Sequence, residues 1–160
     1  VTIQEDLNQI VMLTYLSEPM RENLARIIDI LQCDKGEVIF REGEAADRFY
    51  MLRQGSILLE QRISENVTAC VGSIKPGYSF GWSAMVEDGL YTTDAVCVEL
   101  SEVLSFKRDK ICKLFRSDPE MGFRFYQRLL IIIKKRLDYR TEQFRRAIMH
   151  HPDMQQLFCD

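Results

Sequence analysis

Pro76-Gly77-Tyr78-Ser79-Phe80-Gly81-Trp82-Ser83-Ala84-Met85 is the stretch on which the reading of this chain turns. Pro76-Gly77 is a turn signal. An aromatic residue and Gly81 follow, then small and apolar residues, then the acidic loop Val86-Glu87-Asp88-Gly89. Gly81 lets the main chain approach another group closely, and Ser83 and Ala84 leave space above it. A chain written this way builds a short helix whose first N–H groups point at a ligand, most often an anion.

The surroundings of this stretch are β-rich. Glycines recur at Gly36, Gly43, Gly55, Gly72, Gly77, Gly81 and Gly89. Between most of them sit short runs rich in β-branched, aromatic and aliphatic residues: Val38 to Phe40, Phe49 to Leu52, Ile57 to Leu59, Val71 to Ile74, and Ala95 to Leu100. Short strands punctuated by turns predict a small sandwich or barrel. Upstream, Ser17-Glu18-Pro19 reads as a helix start with Ser17 as N-cap. Leu24, Ile27, Ile28 and Leu31 then fall on one face at helical spacing.

Downstream, Ser117-Asp118-Pro119-Glu120 is a second helix start, with Ser117 or Asp118 as cap and Glu120 completing a capping box. No Pro or Gly interrupts residues 123–151. The pattern predicts a helix over about 118–147, ~45 Å long. Tyr126, Leu130, Ile133 and Leu137 follow 4-3-4 spacing, and Leu129, Ile131 and Ile132 make its middle apolar nearly all round. Such a helix needs cover on more than one side, which suggests a homodimer; the alternative is a groove in its own monomer. The same helix carries eight basic against four acidic residues, a net +4. Basic helices can meet membrane surfaces or nucleic acid. Here i, i+4 pairing on a solvated face is the simpler account.

Composition excludes several classes. A net charge of −3 gives no general case for nucleic acid. The five cysteines, Cys33, Cys70, Cys97, Cys112 and Cys159, form no CxxC pair and suit reduced thiols in a cytoplasmic protein. The longest aliphatic run, Leu129 to Ile133, is too short to span a bilayer. The only two histidines, His150 and His151, are adjacent, follow the long helix and make a poor chelate. A metal-dependent barrel enzyme needs several histidines on its strands, and a Ser/His/Asp triad needs one; neither pattern exists here. We therefore expect no metal site and no enzyme.

Lys35 to Glu44 resembles the opening strand and tight turn of the cyclic-nucleotide-binding domain family, in its Crp/Fnr-type effector form. Phe49 to Ile57 resembles that family's strand of aromatic, aliphatic and then Gly, and Ser101 to Phe106 its last strand before the closing helices. Pro76 to Met85 resembles its phosphate-binding cassette. The resemblance covers roughly residues 10–140. It implies an α+β fold: an antiparallel jelly-roll β-barrel, or double-stranded β-helix, with an N-terminal helix and a long C-terminal helix. The expected organisation is a β-roll with N-terminal helices over 1–116, a dimerisation and signalling helix over 117–147, and a short tail over 148–160 with no DNA-binding domain in this chain.

In the family, a Glu after the cassette Gly holds the ribose 2′-hydroxyl, and an Arg about ten residues later holds the cyclic phosphate. Here the Glu position is Trp82 and the Arg position falls on Tyr91 or Thr92. An indole can donate but not accept, and it is larger than a carboxylate. Loss of one partner of a buried charge pair costs ~2–5 kcal/mol. Tyr91, Thr92 and Thr93 offer hydroxyls instead. Gly81-Trp82-Ser83-Ala84 followed by Tyr91-Thr92-Thr93 resembles a bacterial subgroup with its own cassette. The resemblance implies a regulatory sensor for a small-molecule effector, a cyclic nucleotide or another ligand. The expected site is Phe80, Gly81, Trp82, Ser83, Ala84, Met85, Tyr91, Thr92 and Thr93, with Arg124 and Arg128 of the long helix as candidate phosphate cations. Two alternatives stand beside it: a ligand-free dimerisation scaffold, and the effector domain of a transcription regulator whose DNA-binding part lies outside this chain.

Overall fold

The computed structural model describes residues 10–151. They fall into two compact units, one ending at Phe125 and the other beginning at Tyr126. The first unit is built on two four-stranded antiparallel sheets. One has the order β1-β8-β3-β6, with β1 Ile28–Cys33, β8 Ser101–Lys107, β3 Arg48–Gln54 and β6 Ser79–Phe80. The other has the order β2-β7-β4-β5, with β2 Val38–Phe40, β7 Asp94–Cys97, β4 Ile57–Ser64 and β5 Val67–Ile74. This is the expected jelly-roll arrangement of antiparallel strands with flanking helices. Its core holds Phe49, Met51, Leu52, Ile57, Phe80 and Phe106, all essentially without solvent exposure.

Turn chemistry sets the strand boundaries. Gly36, Gly43, Gly55, Gly77 and Gly81 all have positive φ. At Gly55 (φ +96°) a Cβ would also lie 2.3 Å from Ser101 Oγ. Only glycine meets both demands there, and this lets the β3–β4 turn close over the start of β8. The predicted run from Ala95 to Leu100 is divided. β7 ends at Cys97, a bend follows, and β8 begins at Ser101.

The first helix, α1, spans Glu18–Ala25 and buries Met20 and Leu24. Here the sequence expectation needs correction. Ile28 and Leu31 do not continue the helix; they lie in β1, paired to Phe106 and Val103 of β8. Ile27 N–H donates to Leu24 O at 3.1 Å and turns the chain. The three β-branched residues Ile27, Ile28 and Ile30 suit a pleated strand, and a full ladder with β8 outweighs a continued helix. Ser17 stands at the N-cap, but its side chain makes no capping bond. Arg21 N–H instead donates to Ser17 O at 3.0 Å.

Two helices close the chain. α2, Arg108–Ser117, ends where Asp118 leaves the helical region (φ −134°, ψ 82°) before Pro119. α3, Pro119–Met149, is the long helix the sequence predicts. Asp118 is the working cap: its Oδ1 accepts from Met121 N–H at 3.0 Å. Ser117 Oγ donates to Leu114 O, and Glu120 pairs with Arg124 at 2.5 Å rather than closing a capping box. Within the first unit, Phe125 packs edge-on against Phe49 (5.6 Å between centroids) and beside Phe115 (4.9 Å). In the second unit, Tyr126, Leu130, Ile133 and Leu137 are exposed, Leu130 at 67% and Leu137 at 64%. The helix is laced by i, i+3 and i, i+4 pairs: Lys134 with Asp138, and Arg145 and Arg146 with Glu142. No described helix is long and apolar enough to cross a membrane.

Candidate functional site

β6 leads directly into the cassette. Gly81 adopts the left-handed conformation (φ 72°, ψ 34°) and starts a single 3-10 turn, Trp82–Met85. A Cβ on Gly81 would lie 2.8 Å from Tyr50 Cδ2, so the close approach read from the sequence is to an aromatic ring of β3. Ala84 N–H donates to Gly81 O at 3.2 Å, and Val86 N–H to Ser83 O at 3.1 Å. Gly89 then folds back against the turn, where a Cβ would meet Ser83 O at 2.0 Å. Phe80, Ala84 and Met85 are buried and support the turn, whereas Gly81, Trp82, Ser83 and Thr93 are partly exposed and Thr92 is exposed.

The polar groups of the cassette are largely satisfied by the protein itself. The Trp82 indole N–H donates to Ser79 Oγ at 3.2 Å. Tyr91 is 4% exposed. Its ring stacks on Phe40 with centroids 3.8 Å apart, and Phe40 in turn packs on Tyr50 and Phe80. The Tyr91 hydroxyl donates to Arg48 O at 2.7 Å and accepts from Arg48 N–H at 3.2 Å. Burial pushes this phenol well above its ordinary range, so it is a neutral hydroxyl at any ordinary pH. Asp94, just beyond, accepts from Glu42 N–H at 2.7 Å and lies 3.8 Å from the Arg41 guanidinium.

Of the three residues on which the sequence expectation placed the charged contacts, Trp82 is a partly exposed indole, Tyr91 a buried phenol and Thr92 an exposed hydroxyl. Ser83, Thr92 and Thr93 are the hydroxyl residues that keep solvent access. Arg124, considered as a phosphate cation, is engaged elsewhere, with Glu120 and with Tyr15 O at 3.3 Å. Arg128 lies in the second unit. A cation that does reach the cassette exit is Arg41, through Asp94. It borders an outer depression of about 360 Å³ shared with Glu42, Glu60, Arg62, Thr68 and Asp94. Sequence reasoning did not single out Arg41, because its nearness to Asp94 comes from pairing of β2 with β7 and not from chain spacing. Among the described residues, no cluster of His, Cys, Asp and Glu is arranged to hold a metal ion.

A jelly roll with a glycine-initiated 3-10 turn between β6 and β7, followed by closing helices, is the architecture of a small β-roll binding domain. The chain belongs to the cyclic nucleotide-binding domain family, whose sequence profile matches residues 30–118. It is 23% identical over 114 residues to a cAMP-dependent protein kinase regulatory subunit from Dictyostelium discoideum, covering 69% of this chain and 35% of that protein. It is 24% identical over 103 residues to a CRP-like cAMP-activated global transcriptional regulator from Mycobacterium tuberculosis, covering 64% of this chain and 44% of that protein. The chain thus spans less than half the length of these curated relatives. Among solved structures, the Thermus thermophilus catabolite activator protein superposes with a TM-score of 0.73 at 19% identity, covering 85% of this chain and 62% of that one.

Proposed function

We propose that this chain is a regulatory sensor module whose cassette has left family-type recognition of a cyclic nucleotide. The observation that carries this reading is Tyr91. Its position in the sequence is one of two where the family places the phosphate Arg, yet its hydroxyl is spent on both main-chain groups of Arg48. With Trp82 in place of the ribose acceptor, neither charged contact to a nucleotide remains. The effector that suits this site is small and weakly charged, held by the hydroxyls of Ser83, Thr92 and Thr93 and the flank of Trp82. The Gly81-Trp82-Ser83-Ala84 sequence with Tyr91-Thr92-Thr93 is then a cassette type of its own. Cytoplasmic thiols, no catalysis, and output through a homodimer formed along the exposed face of α3 complete the reading. The β-roll over 1–116 would sense, and the helix over 117–147 would transmit to a partner or to a DNA-binding part outside this chain.

A second reading, a ligand-free dimerisation scaffold, is supported by the internal bonding of the cassette: Trp82 to Ser79, Tyr91 to Arg48, and Asp94 to Arg41 and Glu42. A thermal-shift screen with cyclic mononucleotides, cyclic dinucleotides and small metabolites separates the two. A ligand that binds only the folded state raises the midpoint by mass action. A hit lost in Trp82→Ala supports the sensor. Silence across the screen supports the scaffold. Low-micromolar binding of adenosine or guanosine 3′,5′-cyclic monophosphate by calorimetry would overturn both readings.

A further inference from the structure

We propose that Tyr91 and Arg48 form a mechanical link that couples the exit of the cassette to the N-terminal end of α2. The link begins in the loop after the 3-10 turn. Tyr91 is fixed there by its own main chain, its N–H donating to Glu44 O at 2.9 Å and its carbonyl accepting from Gly43 N–H at 2.8 Å. Its hydroxyl grips the N–H and the carbonyl of Arg48, the first residue of β3. Arg48 then turns its guanidinium the other way. Nη1 donates to Ser105 Oγ of β8 at 2.8 Å and to Asp29 Oδ2 of β1 at 3.0 Å. Asp29 Oδ1 faces Lys110 Nζ of α2 at 3.9 Å. In parallel, Arg108 N–H, at the first residue of α2, donates to Asp47 O at 2.8 Å. Residues 47–48 therefore hold the cassette exit on one side and the first turn of α2 on the other.

Strength is graded along this path. Asp29 is 40% exposed, so its ion pairs with Arg48 and Lys110 are screened and individually weak. The bonds at Ser105, which is fully buried, and at the buried Tyr91 hydroxyl are costly to break, because each would leave a desolvated polar group without a partner. Movement of the cassette loop would accordingly drag Arg48 with it and release Asp29 and Lys110 first. Arg48 holds the Asp29 carboxyl below the usual carboxylate range, against the opposing effect of partial burial, with Lys110 and Lys107 adding to the lowering. The titration of Asp29 is thus a local reporter of whether Arg48 is in place. The link holds whichever ligand the cassette takes.

Tyr91→Phe keeps the ring on Phe40 and removes only the hydroxyl. NMR titration and amide exchange on the folded protein read the consequence. The expected result is an upward shift of the Asp29 midpoint, together with at least about fivefold faster exchange at the bonded amides of the first turn, Arg108, Ile111 and Cys112. Asp29→Asn is the second variant. It should speed the same α2 amides while leaving the Arg48 amide as protected as in the parent. The double variant should exchange no faster in α2 than the faster single variant, since both cut one path. The proposal is overturned if Tyr91→Phe exposes the Arg48 amide but leaves α2 exchange within about twofold and the Asp29 midpoint unmoved. It is equally overturned if the two variants multiply in α2, because independent sites add in free energy.

Discussion

Gly81 and Tyr50 touch across a gap that admits no side chain: a Cβ on Gly81 would lie 2.8 Å from Tyr50 Cδ2. The Tyr50 ring is itself fixed, stacked at 5.2 Å on Phe80 and at 5.6 Å on Phe40. The cassette turn is therefore seated on the aromatic cluster and cannot be lifted from it without loss of packing.

Gly81→Ala should destabilise the domain by about 1–3 kcal/mol, from a left-handed backbone forced on a residue with a Cβ and from the contact with Tyr50. Gly36→Ala is the control. Gly36 has φ +87° but open space around its Cβ position, so only the conformational strain applies and the loss should be smaller. Urea unfolding of the two variants checks the order. Equal losses would mean that the Tyr50 contact contributes nothing.

Much of this architecture was legible in the chain, and the failures have physical causes. Gly36, Gly43, Gly55, Gly77 and Gly81 announced the turns because positive φ is a local demand that only glycine meets freely. The long helix was legible from its cap and from the unbroken run after it. β1 was not, because Leu24, Ile27, Ile28 and Leu31 satisfy a helical spacing as well as a strand, and the partner that decides the matter, β8, is remote in sequence. The bonding of Tyr91 was not legible either. Its hydroxyl bonds to main-chain atoms of Arg48, and a main-chain partner leaves no trace in residue type.

Alkaline pH should weaken the fold. Burial pushes the Cys33 thiol up to about 12, and the neighbouring Cys97 adds to the shift; Cys97 itself is also raised by burial. Burial raises the Tyr50 and Tyr91 phenols as well. In each case the unfolded chain loses its proton at a lower pH than the folded one. Stability is then fully present below the ordinary thiol value near 9 and falls as pH rises from there toward 12. Thermal midpoints measured from pH 7 to 11 should be flat to about 9 and decline above it. At neutral pH, iodoacetamide should label exposed Cys70 well before Cys33 or Cys97. Early labelling of Cys33 would contradict its burial.

The exposed row of Tyr126, Leu130, Ile133 and Leu137 should hold two copies of the chain together. Sedimentation at micromolar concentration should give the mass of a dimer. Ile133→Glu places a charge in that interface and should weaken association by about a hundredfold or more, while leaving the β-roll folded by circular dichroism. A folded variant with the parent's mass in solution would place the interface elsewhere, or deny it.

The last expectation concerns restoring nucleotide binding. The parent protein should bind adenosine 3′,5′-cyclic monophosphate no tighter than roughly 0.1 mM, since ~2–5 kcal/mol is missing at the phosphate alone. Of the two positions where an Arg could be reintroduced, the structure separates good from bad. Tyr91→Arg would break the stack on Phe40 and leave the N–H and carbonyl of Arg48 without their hydroxyl partner, so it should cost stability and gain little. Thr92 is exposed, and an Arg there disturbs no buried contact. Trp82→Glu frees Ser79 Oγ from its indole partner and supplies the acceptor that a ribose hydroxyl needs. The double variant Trp82→Glu with Thr92→Arg should therefore gain at least about tenfold in affinity by calorimetry, and Trp82→Glu with Tyr91→Arg should not. A folded Thr92 double variant with no gain would mean that the cassette cannot open around a nucleotide, and the scaffold reading would replace the sensor.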